Sequence, residues 1–398
     1  MTYKMLDGNA AAVEAMMMAR VKVIAAYPIT PQSSISEKLS DLVLDGTLPA
    51  QYIRVESEHT AMSATISAQM AGVRAATATS SNGLALMHEV LGMASGTRQP
   101  IVMPVVNRAV AAPWSLWCEH GDTMSARDLG WMQFFCQNVQ EVFDLTTLAY
   151  KVAEDARVLC PVMVCLDGFF LSHSMQKIEI PEAGLVDAYL GEYEPKNLRL
   201  DVKNPMFLCD LTGSDEYTEM KYQQKTALDG AGQVIDEAMA GFEKTFGRKL
   251  ERVEAYRTND AEVVLVALGS MNGTAKLVVN RLRDKGHKVG LVKMTVFRPF
   301  PVDLLARAVG RAKVVGVFDR SSGLGSQGGP LWNETRSALF GSDKKVLSYI
   351  GGLGGRDVST MILEKIYDQL LAVSRGDEAA HTPWVDLAEN ALELREAV

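Results

Sequence analysis

Short runs of Val, Ile, Leu and Ala, bounded by Gly, Pro, Asn or Asp, recur along this chain and alternate with stretches of helical periodicity. That alternation constrains the fold to parallel β-sheet covered by helices. Parallel neighbours need a crossover between them, and strands buried on both faces read as continuous apolar runs. Up to about residue 175 the expected strands are 21–27, 74–79, 101–106 and 162–167. Between them the pattern predicts helices over 9–20, 33–45, 58–71, 83–96 and 144–155, several opening on acidic or hydroxyl residues that can cap free amides.

From Ile178 to about Asn204 the pattern fades into a Pro- and Glu-containing stretch, expected as an excursion over the surface. A charged helix over about 215–247 leads to a second alternating region with strands at 263–269, 289–294, 314–319 and 346–350. With 398 residues the chain exceeds one ordinary core. The fold class expected is α/β, two doubly wound parallel-sheet domains, residues 1–250 and 251–398.

Forty basic against 48 acidic residues give a formal charge of -8, which offers no basic field for a nucleic acid backbone. No stretch of membrane-spanning length is free of charges, and the N-terminus lacks the apolar run of a signal peptide, so neither a membrane nor export is expected and the location expected is cytoplasmic. The five cysteines, Cys118, Cys136, Cys160, Cys165 and Cys209, include no Cys-x-x-Cys pair and no iron–sulfur spacing. Free thiols are expected, with Cys160 and Cys165 acting as small buried hydrophobes.

The strand at 21–27 delivers Tyr27-Pro-Ile-Thr-Pro31 to the C-terminal edge of a parallel sheet, where open α/β folds bind their ligands. Glu58, in Arg54-Val-Glu-Ser-Glu58-His, opens a helix of small residues at the same edge. It could serve the positive end of that helix or act on a ligand; Glu56, two positions earlier in an extended approach, points the other way. Thr77-Ala-Thr-Ser-Ser-Asn-Gly83 is a polar turn that could cradle a ring or phosphate, or be an ordinary turn. Arg108, at the end of another strand, suits either a surface ion pair or a substrate carboxylate.

Taken in order, Tyr27-Pro-Ile-Thr-Pro31, Glu56-Ser-Glu58, Thr77-Ala-Thr-Ser-Ser-Asn-Gly-Leu84, Val105-Val-Asn-Arg108, Asp167-Gly-Phe-Phe-Leu-Ser-His173 and Phe297-Arg-Pro-Phe-Pro301 resemble the α subunit of 2-oxoacid:ferredoxin oxidoreductases, the pyruvate enzymes most closely. The resemblance implies a pyrimidine-binding domain for thiamine diphosphate followed by a transketolase C-terminal-like domain. It implies oxidative decarboxylation of a 2-oxoacid, with CoA as cosubstrate, to acyl-CoA, CO2 and reduced ferredoxin. Glu58 matches the glutamate on N1′ of the aminopyrimidine, which promotes proton removal from thiazolium C2. Thr30 and Arg108 match residues beside the substrate carboxylate, and Pro28, Ile29, Thr30, Ser81 and Asn82 match the cofactor-binding turns.

No Gly-Asp-Gly occurs to hold diphosphate and Mg2+; the nearest strings, Leu6-Asp-Gly-Asn9 and Leu166-Asp-Gly-Phe169, have the wrong first residue. The resemblance therefore implies no metal ligand in this chain, Mg2+ on a β subunit, and [4Fe-4S] clusters on γ and δ partners. In the second region Gly269-Ser-Met-Asn-Gly could bind an anion or simply pack, while Gly323-Leu-Gly-Ser-Gln-Gly-Gly329 and Gly351-Gly-Leu-Gly-Gly355 lack the βαβ context of a dinucleotide fingerprint. Trp114, Trp117, Phe169 and Phe170 are expected to fill a core, with the lining of a larger substrate pocket as the alternative. Two competing readings are a β subunit of a lipoamide-dependent 2-oxoacid dehydrogenase and an inert scaffolding subunit. The loop Trp114-Ser-Leu-Trp-Cys-Glu-His-Gly-Asp-Thr-Met124 favours the ferredoxin-linked family, and the joint presence of Thr30, Glu58 and Arg108 speaks against an inert subunit.

Overall fold

The computed structural model describes residues 2–195, 199–377, 383–388 and 391. The chain opens with β1 (Thr2–Leu6) and α1 (Gly8–Met18), whose Asp7 cap accepts from Ala10 N at 2.7 Å. A parallel sheet then builds through β2 (Val23–Ala26), α2 (Ser33–Leu44), β3 (Gln51–Arg54), α3 (Glu58–Met70) and β4 (Ala75–Ala76). It continues with α4 (Ser81–Leu86), α5 (His88–Gly96), β5 (Val102–Asn107), α6 (Gly121–Ser125), β6 (Met132–Phe135), α7 (Val139–Ala153) and β7 (Val162–Asp167). β8 (Gln176–Ile180), α8 (Ala183–Leu190) and the long α9 (Ser214–Phe246) complete this half.

The second half comprises β9 (Val253–Tyr256), β10 (Val263–Leu268), α10 (Met271–Asp284), β11 (Val289–Met294), β12 (Val296–Arg298), α11 (Val302–Val309), β13 (Val314–Asp319), α12 (Pro330–Ala338), β14 (Lys345–Ile350) and α13 (Thr360–Ser374). Two compact units result: residues 1–252 with 295–301, and residues 253–294 with 302–398. The division differs from the sequence expectation in one place. Residues 295–301, expected in the second region, belong to the first unit, because β12 adds antiparallel to β6 and Phe135 N donates to Thr295 O at 2.7 Å.

The first unit carries a seven-stranded sheet of order β12-β6-β7-β5-β4-β2-β3, parallel except for β12. Every residue of β5, β6 and β7 is buried, as strands covered on both faces require. One face packs on α1, α7 and the C-terminal half of α9. Only that half of α9 is buried; Arg248, just beyond its end, grips Asp144 of α7 at 2.9 and 2.7 Å. The second unit has a five-stranded sheet, β14-β13-β10-β11-β9, with only β9 antiparallel. α13 comes so close over it that a Cβ on Gly316 of β13 would lie 2.8 Å from Leu370.

Three further expectations need correction. The stretch after Ile178 is not all surface: β8 pairs antiparallel with β1, Ile178 and Ile180 alternate inward, and α8 buries Val186, Tyr189 and Leu190. The helix expected over 83–96 is two, α4 and α5, which meet at Met87. The helix expected from 144 begins at Val139, because Asn138 caps it by accepting from Glu141 N at 2.9 Å.

Candidate active site

Because β2, β3, β4, β5 and β7 run parallel, their C-terminal ends share one edge, and the loops leaving it carry every residue singled out above. Pro28, Ile29 and Thr30 follow β2, Glu58 follows β3, Ser81 and Asn82 follow β4, and Arg108 follows β5.

Glu58 does not cap α3. Ser57 does, its hydroxyl accepting from Thr60 N at 3.2 Å. Glu58 is the first helical residue, only 7% exposed, and its carboxylate accepts no hydrogen bond from any described residue. The start of α4 closes on it. A Cβ on Gly83 would lie 2.7 Å from Glu58 Oε1 and 2.5 Å from Thr79 Oγ1, so only glycine permits this approach. The hydroxyls of Thr79 and, two residues before it, Thr77 are buried without a partner among the described residues. Glu56 is exposed and accepts from the Thr60 hydroxyl, away from this pocket.

Arg108 is 4% exposed. Its Nη1 donates to Thr30 O at 2.7 Å and its Nε to Ser115 O at 3.3 Å, and the guanidinium carbon lies 5.8 Å from the Trp114 ring centroid. Burial lowers the Arg108 pKa from its ordinary value, opposed by the negative charges of Asp122 and Glu58. The structure therefore brings Thr30 and Arg108 into contact and sets Glu58 within electrostatic reach of them. Thr30, Pro28 and Asn82 are exposed, Ile29 is half-buried, and Ser81 is buried with its hydroxyl on Ala109 O. No described hydrogen bond joins Pro28 or Ile29 to Ser81 or Asn82.

Sequence reasoning assigned no role to Asp122, although it lies in the quoted 114–124 loop. Its carboxylate is 1% exposed and accepts from Ser81 N and Arg108 N at 3.0 Å each, from Asn107 Nδ2 at 2.8 Å and from Thr123 N at 2.7 Å. Burial raises its pKa, and these donors oppose the rise. His120 and Asp167 form a second buried pair at 2.8 Å. With Cys118 they place three possible ligand atoms within 4.8 Å, although His120 Nε2 and Asp167 Oδ1 already satisfy one another. The aromatic residues do not fill a core. Trp114 and Trp117 are 77% and 52% exposed, Phe169 and Phe170 are half-buried, and Trp117 packs on Phe169 with ring centroids 4.4 Å apart. Polar loop backbone around residues 111–117 leaves these rings at the rim.

Residues 14–240 match the family described as pyruvate flavodoxin/ferredoxin oxidoreductase, thiamine diphosphate-binding, and residues 261–362 match pyruvate:ferredoxin oxidoreductase core domain II. The chain belongs to the 2-oxoacid:ferredoxin oxidoreductase family, as an α subunit. It is 46% identical to pyruvate synthase subunit PorA of Pyrococcus abyssi over 97% of this chain and 98% of the relative. Identity to the PorA subunit of Methanothermobacter thermautotrophicus is 47% over 92% and 94%. It is 42% identical to ketoisovalerate oxidoreductase subunit VorA of Pyrococcus abyssi over 93% and 94%. The fold is similar to that of the 2-oxoglutarate:ferredoxin oxidoreductase from Magnetococcus marinus, with a TM-score of 0.71 at 20% identity, covering 92% of this chain and 65% of that one. A split-gene transketolase shares the fold at a TM-score of 0.57 and 13% identity, with 92% and 97% covered. Among the described residues no helix is long and apolar enough to cross a membrane, and none of the five cysteines forms a disulfide, four of them being buried.

Proposed function

We propose that this α subunit supplies the aminopyrimidine side of a thiamine diphosphate site, with Glu58 on the pyrimidine and Arg108 and the Thr30 turn on the substrate carboxylate, and that its complex oxidises pyruvate. The reaction takes pyruvate, CoA and two oxidised ferredoxins to acetyl-CoA, CO2, two reduced ferredoxins and a proton. The observation that carries this reading is the Glu58 carboxylate: nearly buried, relieved of capping by Ser57, and without a donor from the described residues. An inert subunit has no reason to keep such a group, whose burial costs free energy until a partner meets it.

The pocket fits the group. Beside Glu58 stand the Thr79 hydroxyl, buried without a partner among the described residues, and the Gly83 cradle that a Cβ would fill. Thiamine diphosphate, when bound, supplies an acidic thiazolium carbon and a sink for the electron pair left by decarboxylation. Glu58 holds a proton at the pyrimidine N1′, in a setting where burial strengthens the interaction. Arg108, fixed by two backbone carbonyls, still has Nη2 to offer to a carboxylate. Ser81, Asn82, Pro28 and Ile29 shape the walls through the turns that carry them.

Among the described residues nothing fits the diphosphate side. The aspartates of all four Leu-Asp-Gly strings are already bonded within the chain, Asp7 to Ala10 N, Asp45 to Thr47 N, Asp167 to His120 and Asp229 to Lys225, and none follows a glycine as a diphosphate and metal segment requires. We therefore assign diphosphate and Mg2+ to a β subunit and the [4Fe-4S] clusters to γ and δ subunits, because no cysteine spacing here suits a cluster. Buried thiols without disulfides suit the reducing cytoplasm. Pyruvate is favoured over 2-oxoisovalerate by the higher identity to the PorA subunits of Pyrococcus abyssi and Methanothermobacter thermautotrophicus than to VorA, with phenylglyoxylate as a further candidate. The test is viologen reduction by the assembled complex against a panel of 2-oxoacids. CoA-dependent activity greatest with pyruvate, and none from the isolated chain, is expected. A requirement for lipoamide, or turnover by the chain alone, overturns the reading.

A further inference from the structure

We propose that Asp122 is the positioning residue of this site: one buried carboxylate that sets the substrate-binding arginine and the cofactor turn in register. The proposal rests on the reading above and goes beyond it, because Asp122 itself faces neither ligand.

Its Oδ2 accepts the backbone amides of Ser81 and Arg108, which belong to different loops. Its Oδ1 accepts Asn107 Nδ2 and Thr123 N, and the Thr123 hydroxyl lies 3.1 Å away. The β4–α4 turn, the end of β5 and α6 are thus fastened to a single group. Each connection leads on to the site. Arg108 reaches from its fixed amide to Thr30 O at 2.7 Å, so the β2 turn is held at second hand. Ser81 sits at φ 48°, in the left-handed region that a residue with a Cβ adopts only when its surroundings enforce it. Two residues later Gly83 is pressed against the Glu58 carboxylate. Relaxation at Ser81 moves the surface under Glu58, and relaxation at Arg108 moves the guanidinium from the substrate. A carboxylate suits this post because it only accepts: five donors converge on it, two on Oδ2 and three on Oδ1, the Thr123 hydroxyl included, and an amide in its place would turn an N–H toward one of these sets.

The test uses Asp122→Asn in the assembled complex, with two readouts. Amide hydrogen exchange at Ser81 and Arg108 should rise by about 10- to 100-fold, matching the loss of charge-assisted hydrogen bonds, while peptides from β7, β10 and β13 exchange as in the wild type. Kinetically, KM for the 2-oxoacid should rise by about 10-fold or more, with a smaller loss of kcat at saturating thiamine diphosphate. Should Asp122→Asn fail to assemble, Thr123→Val, which removes one hydroxyl from the same oxygen, should give the same local pattern at about 3- to 5-fold. Unchanged exchange at both amides, or a uniform rise across the whole chain with kcat and KM unaffected relative to cofactor occupancy, overturns the proposal. An inactive wild-type complex would instead overturn the functional reading and leave the exchange result to stand by itself.

Discussion

Glu58 and Asp319 occupy comparable places in the two units and have opposite fates. Each is a buried carboxylate at the C-terminal edge of a mostly parallel sheet, beside the first turn of a helix. Asp319, at the end of β13, accepts from Leu331 N at 2.8 Å and Trp332 N at 3.0 Å, and so fills the anion position at the start of α12. Gly329 lies against it so closely that a Cβ would fall 2.1 Å from Asp319 Cγ. Glu58 also has a glycine against it, with a Gly83 Cβ falling 2.7 Å from Oε1, yet no donor from the described residues; Ser57 takes the capping role, and Thr77 and Thr79 bring hydroxyls that no described residue satisfies. One edge is closed by its own side chain; the other, in the function proposed above, is open to a ligand. The lesson is that a glycine cradle beside a carboxylate does not by itself mark a ligand site: what decides is whether the chain has already used the carboxylate.

The largest effect that tests this contrast is on turnover. Glu58→Gln should leave assembly intact and cut 2-oxoacid-dependent viologen reduction by about 100- to 10,000-fold, the usual range for a general acid–base group. A loss smaller than tenfold would put Glu58 alongside Asp319 as a structural carboxylate. Arg108→Ala comes next: loss of a charge-assisted bond should raise KM for the 2-oxoacid by about 10- to 150-fold, with cofactor occupancy near normal. An emptied cofactor site with unchanged KM would mean that Arg108 only ties loops together.

Asp319 supplies the pH arm of the comparison. Burial pushes its pKa up to about 7 from an ordinary 3.8, against the pull of the Leu331 and Trp332 amides. The native state then binds the proton more tightly than the unfolded chain does. Stability from this group is fully present below about pH 4, falls as pH rises toward 7 and is level above it. Denaturant unfolding at several pH values should therefore show a slope of up to about 1.4 kcal/mol per pH unit in that window, absent in Asp319→Asn. Parallel curves for the two proteins would contradict it. The smallest effect is on the cap: Ser57→Ala should cost about 1 kcal/mol of stability, whereas Glu58→Gln should cost none, as thermal unfolding can measure. If Glu58→Gln alone lowered Tm, capping would belong to Glu58 after all.

The continuous apolar strands were legible in the sequence because burial on both faces writes itself as an unbroken run: β7 begins and ends where Val162 and Asp167 were expected. Short or half-exposed strands were not. β3 is largely exposed and β12 is three residues long, and neither carries a period that distinguishes it from loop. β12 also shows why residues 295–301 were assigned to the wrong half, since strand pairing across more than 150 residues leaves no local trace. At the site, Glu58 and Arg108 stood out because charged residues at strand ends and helix starts are few. Asp122 did not, because its importance lies in donors that meet it from the β4–α4 turn, the end of β5 and its own helix α6. Trp114 and Trp117 were expected inside on hydrophobicity alone, yet they are 77% and 52% exposed; the buried tryptophans are Trp131, whose indole donates to Leu91 O at 2.9 Å, and Trp332.

The most direct test of the central claim is deuterium exchange at C2 of thiamine diphosphate, measured by acid quench and NMR in the assembled complex with wild-type or Glu58→Gln α subunit at equal cofactor occupancy. The account predicts exchange slowed by about 100-fold or more in the variant. Equal exchange rates in the two complexes would show that Glu58 moves no proton for this cofactor and would remove the distinction drawn between the two edges.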